Sequence, residues 1–397
     1  MREVGIVGVG HTKFGKTDLP FLELLGSAAL EALDDAGITP GPGHGVDQLI
    51  VSSMGASIQN RISGSASALV DSLDLCPAMA ECVENGPASG GSAVKLGYMA
   101  IASGMCDCVL VVGGEKMGKG KEATDFVATM LHPEAEYPYG LTLTSFAAMF
   151  TRLIMDKYGV TSEDLARIAV KNHENACHNP VAQLQKPVSL EAITTGPDRD
   201  KINPMVATPL RRYDICPMSD GAAAVVLCAM DVADRFARRP VRIAGIGQAT
   251  DTHCVANRAV PTDLLAVRLA AQKAYEMSGL TADDMDCAEL HDAFQILELV
   301  ESEEVGFFRR GEGHLAVRRG ETCIGGRIPI NTSGGLKAKG HPLGATGISQ
   351  IIEVVKQLRG EASGRQVEGA KAGLCVNFGG FGNNVVASSW LWVPTAW

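Results

Sequence analysis

The feature that most limits how this chain can fold is a strand–helix pattern that occurs twice. A β-branched run at residues 4–9 predicts a buried strand, and the apolar periodicity of residues 21–36 predicts a helix. Residues 241–246 and 264–278 repeat this pair. The repetition indicates two similar βα halves that are joined near residues 230–240.

Further short segments continue the alternation between strands and helices. Strands are predicted at residues 48–52, 108–112, 221–227 and 285–290, helices at 88–103 and 348–358, and a glycine-broken strand pair at 373–388. Such alternation is typical of α/β folds, in which helices cover both faces of a parallel sheet. The sequence therefore predicts an α/β fold with a parallel sheet.

Residues 114–205 interrupt this pattern. They are rich in proline, histidine, asparagine and methionine, and the alternation resumes only at residues 221–227. We expect such an insertion to lie over the sheet as a lid. The chain is accordingly divided into an N-terminal half (residues 1–113 and 206–235), a lid (114–205) and a C-terminal half (236–397).

The charge and the cysteine content exclude several classes of function. A net charge of −10 leaves no basic excess to neutralise nucleic acid or an anionic membrane surface. The eleven cysteines include no CxxC pair, and Cys106 and Cys108 lead into an apolar run, which favours buried thiols over metal ligands. No signal peptide and no apolar run of about 18 residues is evident. We expect a cytoplasmic protein without a bound metal.

The segment 331–347, NTSGGLKAKGHPLGATG, carries the strongest chemical signal. Its five glycines let a ligand approach the backbone closely, and His341 lies shortly before the predicted helix at 348–358. A histidine on a rigid loop at a helix N-terminus is well placed as a hydrogen-bond donor or as a base. The alternative is a tight loop in which the histidine is only structural.

A second segment, ELHDAF at residues 289–294, follows a predicted strand. His291 and Asp292 fall at the carboxyl edge of the sheet, where α/β folds deliver catalytic side chains. From the spacing alone, a surface loop is the commoner interpretation.

Four motifs resemble those of the thiolase superfamily, in the order in which they occur there. Residues 331–347 resemble the signature loop, 216–227 (CPMSDGAAAVVL) the SDGA strand, 289–294 the HDCF box of sterol-carrier-protein-type thiolases, and 373–384 (GLCVNFGGFGNN) the C-terminal glycine loop. The resemblance implies a five-layered α/β fold with two duplicated βαβαβαββ-type halves, an inserted lid domain and usually a homodimer. It also implies a CoA thioester as substrate, with no other cofactor.

The resemblance also implies roles for individual residues. His341 would donate to the thioester oxygen in a first oxyanion hole, and His291 would complete that hole directly or through a water. Gly380 would supply a backbone N–H near a second oxyanion hole. The loop would be shaped by Asn331, Gly334, Gly335, Gly340 and Gly344.

The chain departs from the family at the nucleophile. Thiolases of this type read roughly VExxCASGG, whereas residues 83–91 read VENGPASGG, so Pro87 stands at the cysteine position. Proline has neither a thiol nor a backbone N–H. Because the N–H at this position helps to form the second oxyanion hole in the family, one residue removes both groups. Losing one such donor typically slows catalysis by about 10²–10³-fold.

Other cysteines are poor replacements for the missing thiol. Cys82 is expected in a buried strand five residues upstream. The acid/base cysteine of the HDCF box is Ala293 here, and Val376 occupies the alternative position in the C-terminal loop. Cys375 lies one residue early, so it is a candidate acid or base only if the loop bulges, and otherwise a buried thiol.

Three functions therefore remain. The first is non-covalent C–C cleavage or formation in an acyl-CoA through a thioester enolate, as in cysteine-less superfamily members that act as aldolases, often with a small OB-fold, zinc-ribbon partner. The second is a conventional acyltransferase that uses another residue, and the third is a non-catalytic subunit of a hetero-complex. Lys116, Lys119, Arg211 and Arg212 are candidate contacts for the CoA phosphates, with solvated surface as the alternative.

Overall fold

One mixed nine-stranded sheet runs through the computed structural model, which describes residues 1–118 and 121–392. Its strands are β1 (Val4–His11), β2 (Gln48–Ser52), β3 (Met79–Val83), β4 (Cys108–Glu115), β7 (Gly221–Ala229), β8 (Val241–Thr250), β9 (Cys287–Glu289), β10 (Ala372–Gly379) and β11 (Asn384–Trp392), and a separate hairpin is formed by β5 (Met205–Ala207) and β6 (Leu210–Arg211). Across the sheet the order is β3-β2-β4-β7-β1-β8-β11-β10-β9.

Twelve α-helices occur in the described part of the chain. They are α1 (Phe21–Ala36), α2 (Ser65–Ser72), α3 (Ser89–Ala102), α4 (Lys121–Ala128), α5 (Leu143–Tyr158), α6 (Ser162–Cys177), α7 (Leu190–Thr194), α8 (Arg199–Ile202), α9 (Leu265–Ser278), α10 (Gln295–Glu304), α11 (Gly313–Arg318) and α12 (Leu343–Arg359). The predictions for α1 and β2 match in both bounds, and the other predicted strands and helices are present with shifted ends.

Alternate residues of the strands face different helical layers. In β7, Ala224 and Val226 pack with α1, whereas Val225 and Leu227 pack with α3 and α12. On the other side of the α3–α12 pair, side chains of β8, β10 and β11 pack with α9 and α10 and form the C-terminal core. Two parts of the one continuous sheet, β3 to β1 and β8 to β9, therefore pack against the α3–α12 pair from either side. The layers are helix, sheet, helix, sheet, helix, and this confirms the predicted five-layered α/β fold.

The prediction of a parallel sheet is wrong. Only the pairs β2–β3, β2–β4 and β9–β10 are parallel, and the remaining five pairs are antiparallel. The cause is that β7 returns beside β4 after the long 116–220 segment, and that β10 and β11 form a hairpin. Strand β3 lies at the sheet edge, so Cys82 is exposed rather than buried as predicted.

Helices α4 to α8 and the β5–β6 hairpin lie between β4 and β7 in the chain. Helices α5 and α6 pack on the C-terminal core, with Phe146, Phe150 and Leu165 buried against residues of α10 and β10. The exact domain boundaries remain predictions. The candidate phosphate contact Lys119 lies outside the described residues.

Candidate functional site

A largely apolar cavity of about 110 Å³ brings four of the proposed site residues together. Pro87, His291, His341 and Gly380 all line it. The remaining lining comes from the segment before α5 and its first turn, from residues 215–218 and from α10, with Met117, Met130 and Phe381 among the apolar side chains. Reacting groups in such a cavity are separated from bulk water, which strengthens every charge interaction inside it.

His341 is held rigidly at the start of α12. Its backbone N–H donates to Ser219 Oγ at 3.0 Å, and its side chain is only 7% exposed. Gly340 before it has φ +118°, and a Cβ there would lie 2.8 Å from the same Ser219 oxygen. Glycine is therefore required at position 340.

His291 lies against His341, with ring centroids 4.8 Å apart and the rings nearly perpendicular at 86°. Its backbone N–H donates to Glu301 Oε2 at 2.8 Å, and its ring stacks on Phe378. The Phe378 N–H points at His291 Nδ1 at 3.4 Å. Because Nδ1 accepts this bond, the proton of the neutral ring is on Nε2, which makes Nε2–H a hydrogen-bond donor.

Both histidines are neutral at pH 7. Burial lowers the pKa of His341 to about 3. Burial, together with the neighbouring His341, places the pKa of His291 well below its usual value. A neutral imidazole has one N–H donor and one acceptor nitrogen, so each ring can either donate a hydrogen bond to a ligand or accept a proton from it.

The proton position on His341 depends on Thr346. Thr346 Oγ1 lies 2.7 Å from His341 Nδ1 and donates to the Pro342 carbonyl at 2.9 Å. When the Thr346 hydroxyl donates to the Pro342 carbonyl, its oxygen accepts from His341 Nδ1–H. His341 Nε2 then carries a free lone pair and can act as a base. Rotation of the hydroxyl toward Nδ1 would instead make Nε2–H a donor.

Thr346→Val is expected to lower kcat by about 10- to 100-fold with little change in KM, because the isosteric valine leaves an imidazolium Nδ1–H unpartnered. Thr346→Ser keeps the hydroxyl and should stay close to wild type in steady-state assays. Equal losses in both variants would show that Thr346 acts only through packing.

The 331–347 loop is anchored by buried polar side chains behind the cavity. Asn331, at φ +58°, accepts from the Leu290 N–H at 2.8 Å and donates to Glu298 at 2.8 Å. Asp292 accepts from the Leu336 N–H at 2.6 Å. Asp292 therefore holds the loop and does not line the cavity, unlike its neighbour His291. Gly334 and Gly335 also have positive φ in this loop.

Glu115 anchors the other end of the loop. It accepts four hydrogen bonds, from the N–H groups of Met54, Gly55 and Gly344 and from the Ser53 hydroxyl, at 2.9–3.1 Å. Burial nevertheless raises its pKa to about 7. The Gly344 carbonyl also accepts from Ser52 at 2.8 Å, so the first turn of α12 is fixed to β2 and β4.

Glu115→Gln should destabilise the fold by about 1–3 kcal/mol, because in either orientation the amide NH2 faces at least one backbone N–H and leaves it without an acceptor. Thermal unfolding measures this change, and Glu23→Gln, at an exposed carboxyl of α1, serves as the control. A melting temperature equal to that of wild type would contradict the assigned anchoring role.

Pro87 stands immediately before α3 and is fixed there by β10. The Asn377 side chain donates to the Pro87 carbonyl at 3.0 Å and accepts from the Gly91 N–H at 2.9 Å. The position that carries the thiol in the family thus faces both histidines, but it presents a ring without a donor.

Cys375 does not join the cavity. It pairs in regular register with Ser388 and Glu289, without a bulge, and packs in the core between the sheet and α12. Burial places the pKa of its thiol well above the usual value. Cys375 is therefore the buried thiol that the sequence analysis gave as the alternative. Because the strand does not bulge, Cys375 is no longer a candidate acid or base. Ala293 does line the cavity, so the HDCF cysteine position is in place but empty of sulfur.

Cys216 is a cavity residue that sequence reasoning missed. It lines the cavity with His291 and His341, and burial raises the pKa of its thiol to about 12. A thiol that stays protonated is a weak nucleophile. Its place in the CPMSDG motif was visible, but no spacing rule indicated that the segment faces the histidines.

The candidate CoA contacts are mostly engaged elsewhere. Lys116 Nζ donates to the Leu19 carbonyl at 2.6 Å, and Arg211 binds Asp200 at 2.7 Å. Arg212 is exposed beside Lys186 and Lys337. Within the described residues, no cluster of His, Cys, Asp or Glu has the arrangement of a metal site, and no helix is long and apolar enough to cross a membrane.

Comparison with known proteins places this geometry in a family. Residues 4–231 match the thiolase N-terminal domain, and residues 247–388 match the thiolase C-terminal domain-like family. An acetyl-CoA acetyltransferase of Methanothermobacter thermautotrophicus is 43% identical over 96% of this chain and 97% of its own length. Sterol carrier protein 2 of Bos taurus is 36% identical over 99% of this chain and 73% of its length.

Among solved structures, the Ltp2-ChsH2(DUF35) aldolase superimposes with a TM-score of 0.83 at 27% identity, covering 99% of both chains. The two family matches together cover nearly the whole chain, and two relatives are more than 30% identical to it. The chain belongs to the thiolase family and is a thiolase-superfamily enzyme of the sterol-carrier-protein 2 type.

Proposed function

We propose that this enzyme cleaves or forms a C–C bond in an acyl-CoA without a covalent acyl-enzyme, by a retro-aldol reaction of a β-hydroxyacyl-CoA or its reverse. The observation that carries the proposal is the pairing of Pro87 with two neutral histidines in one cavity. Enolate chemistry needs a base and a donor at the thioester oxygen, and both remain. Acyl transfer needs a nucleophile, which the residue at this position does not supply.

In the proposed reaction His291 Nε2–H donates to the thioester oxygen. His341 Nε2 takes the proton from the β-hydroxyl, the Cα–Cβ bond breaks, and its electron pair forms the enolate that His291 stabilises. The β-carbon leaves as an aldehyde or ketone. His341 then returns the proton to Cα, which gives the shorter acyl-CoA. Thr346 accepts from Nδ1–H throughout, so the imidazolium is stabilised while it exists.

The low pKa of His341 leaves its ring neutral at pH 7, so the Nε2 lone pair is available to accept a proton. A base with a pKa of about 3 is weak in the free enzyme, and it gains basicity only when the negative charge of the enolate develops beside it. It holds a proton only while the enolate next to it is negatively charged, and it gives the proton up to Cα as that charge disappears.

Acyl transfer is the second candidate function. The relative from Methanothermobacter thermautotrophicus is named an acetyl-CoA acetyltransferase, and Cys216 places a thiol in the cavity. The aldolase neighbour supports the first candidate instead. The raised pKa of Cys216 also favours the first candidate, because a nucleophile with a pKa of about 12 is almost entirely protonated at pH 7.

The requirement for free CoA separates the two. Retro-aldol cleavage of a 3-hydroxyacyl-CoA releases a carbonyl compound without a second thiol, whereas cleavage of a 3-ketoacyl-CoA by acyl transfer consumes free CoA. We expect turnover of the 3-hydroxyacyl-CoA in the absence of CoA, measured by chromatography of the shorter acyl-CoA. Turnover restricted to the 3-ketoacyl-CoA, dependent on CoA and lost in Cys216→Ser, would establish acyl transfer.

We propose a homodimer as the working assembly. The edge strand β3 is exposed along its length, with Met79 at 42% exposure, and it has one strand neighbour only within the described residues. An edge of this kind is normally covered by another chain or element. Light scattering should give twice the chain mass of 41.7 kDa.

We also propose a small OB-fold, zinc-ribbon protein as a partner. The Ltp2-ChsH2(DUF35) aldolase is by its name a two-component enzyme. Affinity purification of the tagged chain from its native source tests this, and activity should be compared with and without any captured protein. If the chain alone shows no turnover and turnover appears only with such a partner, the chain acts as a subunit of a hetero-complex, which is the third function considered above.

A further inference from the structure

A second and larger cavity of about 530 Å³ lies next to the histidine cavity. Met130 and Gly380 line both, and Gly86, which directly precedes Pro87, lines the larger one. Eight of its lining residues carry polar side chains: Ser57, Glu84, Asn85, Thr129, Thr250, His253, Asn383 and Asn384. We call this space the polar chamber.

The histidine cavity is too small for a whole substrate. Pockets that enclose a small-molecule ligand have about 300–1,000 Å³, whereas this cavity has about 110 Å³. It has room for the reacting part of the substrate but not for a long acyl chain as well. The remaining acyl chain must continue into another space, and the polar chamber is the cavity that shares wall residues with the reacting centre.

The wall between the two cavities is thin and adjustable. Gly86 has φ +54°, and a Cβ there would lie 3.6 Å from Met130 Sδ and 3.8 Å from the Gly380 nitrogen. These are ordinary van der Waals distances, so the wall at this point is a single contact layer, and the side chain nearest to Gly86 across it is a methionine, which has several accessible rotamers. A chain that passes Pro87 meets the chamber at this point.

An unpartnered acceptor lies at the same junction. Asn383 is 8% exposed, and its Oδ1 has no hydrogen-bond partner within the described chain. A Cβ built on Gly380 would lie 1.8 Å from this oxygen, so Oδ1 sits directly over Gly380. The Asn383 amide nitrogen is already engaged with His253 Nδ1, which fixes the direction of the oxygen.

The rest of the chamber is preorganised. Asn384 donates to Asn85 at 2.7 Å and accepts from Gln248 at 2.9 Å, and Asn85 donates to Ser92 at 2.8 Å. Rigid amides of this kind select ligands by hydrogen bonding. Glu84 is the only carboxylate among the lining residues, and it disfavours a negatively charged ligand.

We propose that the polar chamber binds the far end of the acyl group and selects a neutral acyl chain that carries a hydrogen-bond donor, such as a hydroxyl or an amide, over a plain alkyl chain. Asn383 Oδ1, which is buried in this structure, accepts from that donor after a small movement of the Asn383 side chain away from Gly380. The assignment of the acyl end to this chamber rests on the proposed function, since the reacting carbons are those placed beside the histidines.

The test compares the binding of hexanoyl-CoA and 6-hydroxyhexanoyl-CoA by calorimetry. Neither ligand has a β-hydroxyl, so neither can undergo retro-aldol cleavage, and the affinities are independent of whether that reaction occurs. We expect the hydroxylated ligand to bind about five- to tenfold more tightly, the gain of one hydrogen bond to a buried acceptor. Equal affinities, or tighter binding of hexanoyl-CoA, overturn the proposal.

Asn383→Leu should abolish the preference, whereas the matched substitution Asn257→Leu, at an exposed asparagine outside the chamber, should keep it. A preference that persists in Asn383→Leu overturns the assigned role of Asn383. Because the wild-type ratio is measured without any variant, the proposal stays testable even if Asn383→Leu does not fold.

Discussion

His341→Ala is expected to lower kcat for 3-hydroxyacyl-CoA cleavage by about 10²–10⁴-fold, the range that a general base contributes. Of the two described imidazoles that line the cavity, His341 is the one with a free Nε2 lone pair when Thr346 donates to Pro342, since His291 Nδ1 accepts from Phe378 and its Nε2 carries the proton. Removal of His341 therefore removes the acceptor of the β-hydroxyl proton. Steady-state kinetics with 3-hydroxyacyl-CoA measure the loss.

Asparagine substitutions separate the two roles. His291→Asn keeps an N–H donor and should lose no more than about tenfold, because donation to the oxyanion is preserved. His341→Asn supplies no base and should be as inactive as His341→Ala. His178→Ala, at an exposed histidine beyond α6, is the control. If His341→Asn is active and His291→Asn is not, the roles are reversed.

Pro87→Cys should turn the cavity into one that forms an acyl-enzyme. The new thiol would stand immediately before α3, where the helix dipole stabilises a thiolate, and in the same cavity as the base His341. The substitution also restores the N–H that proline lacks. We expect incubation with acetyl-CoA to add about one acetyl group per chain, detected by intact-protein mass spectrometry.

Pro87→Ala is the matched variant for this experiment, since it restores the N–H without a thiol. It should stay unmodified by acetyl-CoA, as should wild type. If Pro87→Cys also stays unmodified while its melting temperature is unchanged, the cavity lacks more than the nucleophile, and the assignment of position 87 to the acyl-accepting site is wrong.

Much of the fold follows from local pattern. The α1 prediction matches in both bounds because apolar periodicity and the C-terminal Gly37, at φ +76°, are both local signals. Strand direction is not local: whether β7 runs parallel or antiparallel to β4 depends on the path of residues 116–220 between them, which sequence periodicity does not record. For the same reason, sequence periodicity could not predict that β3 lies at the sheet edge or that Cys82 is exposed.

The site divides in a similar way. The loop of His341 and the box of His291 each have recognisable sequence, and the structure brings the two rings together as the resemblance implied. Glu115 and Cys216 were missed because their roles arise from contacts between distant segments. Thr346 was missed for another reason: it lies five residues from His341, and their contact depends on how the loop turns into α12. Cys375 was misleading for the opposite reason, since it lies one residue from the family position and a one-residue step in a strand points the side chain to the other face.

The most direct test of non-covalent cleavage is to follow protein mass and small-molecule products in one reaction of the wild-type enzyme with a 3-hydroxyacyl-CoA. The account predicts equal amounts of a carbonyl compound and a shorter acyl-CoA, with the protein mass unchanged at every time point. An acylated protein that forms and decays during turnover, without release of the carbonyl compound, would contradict it.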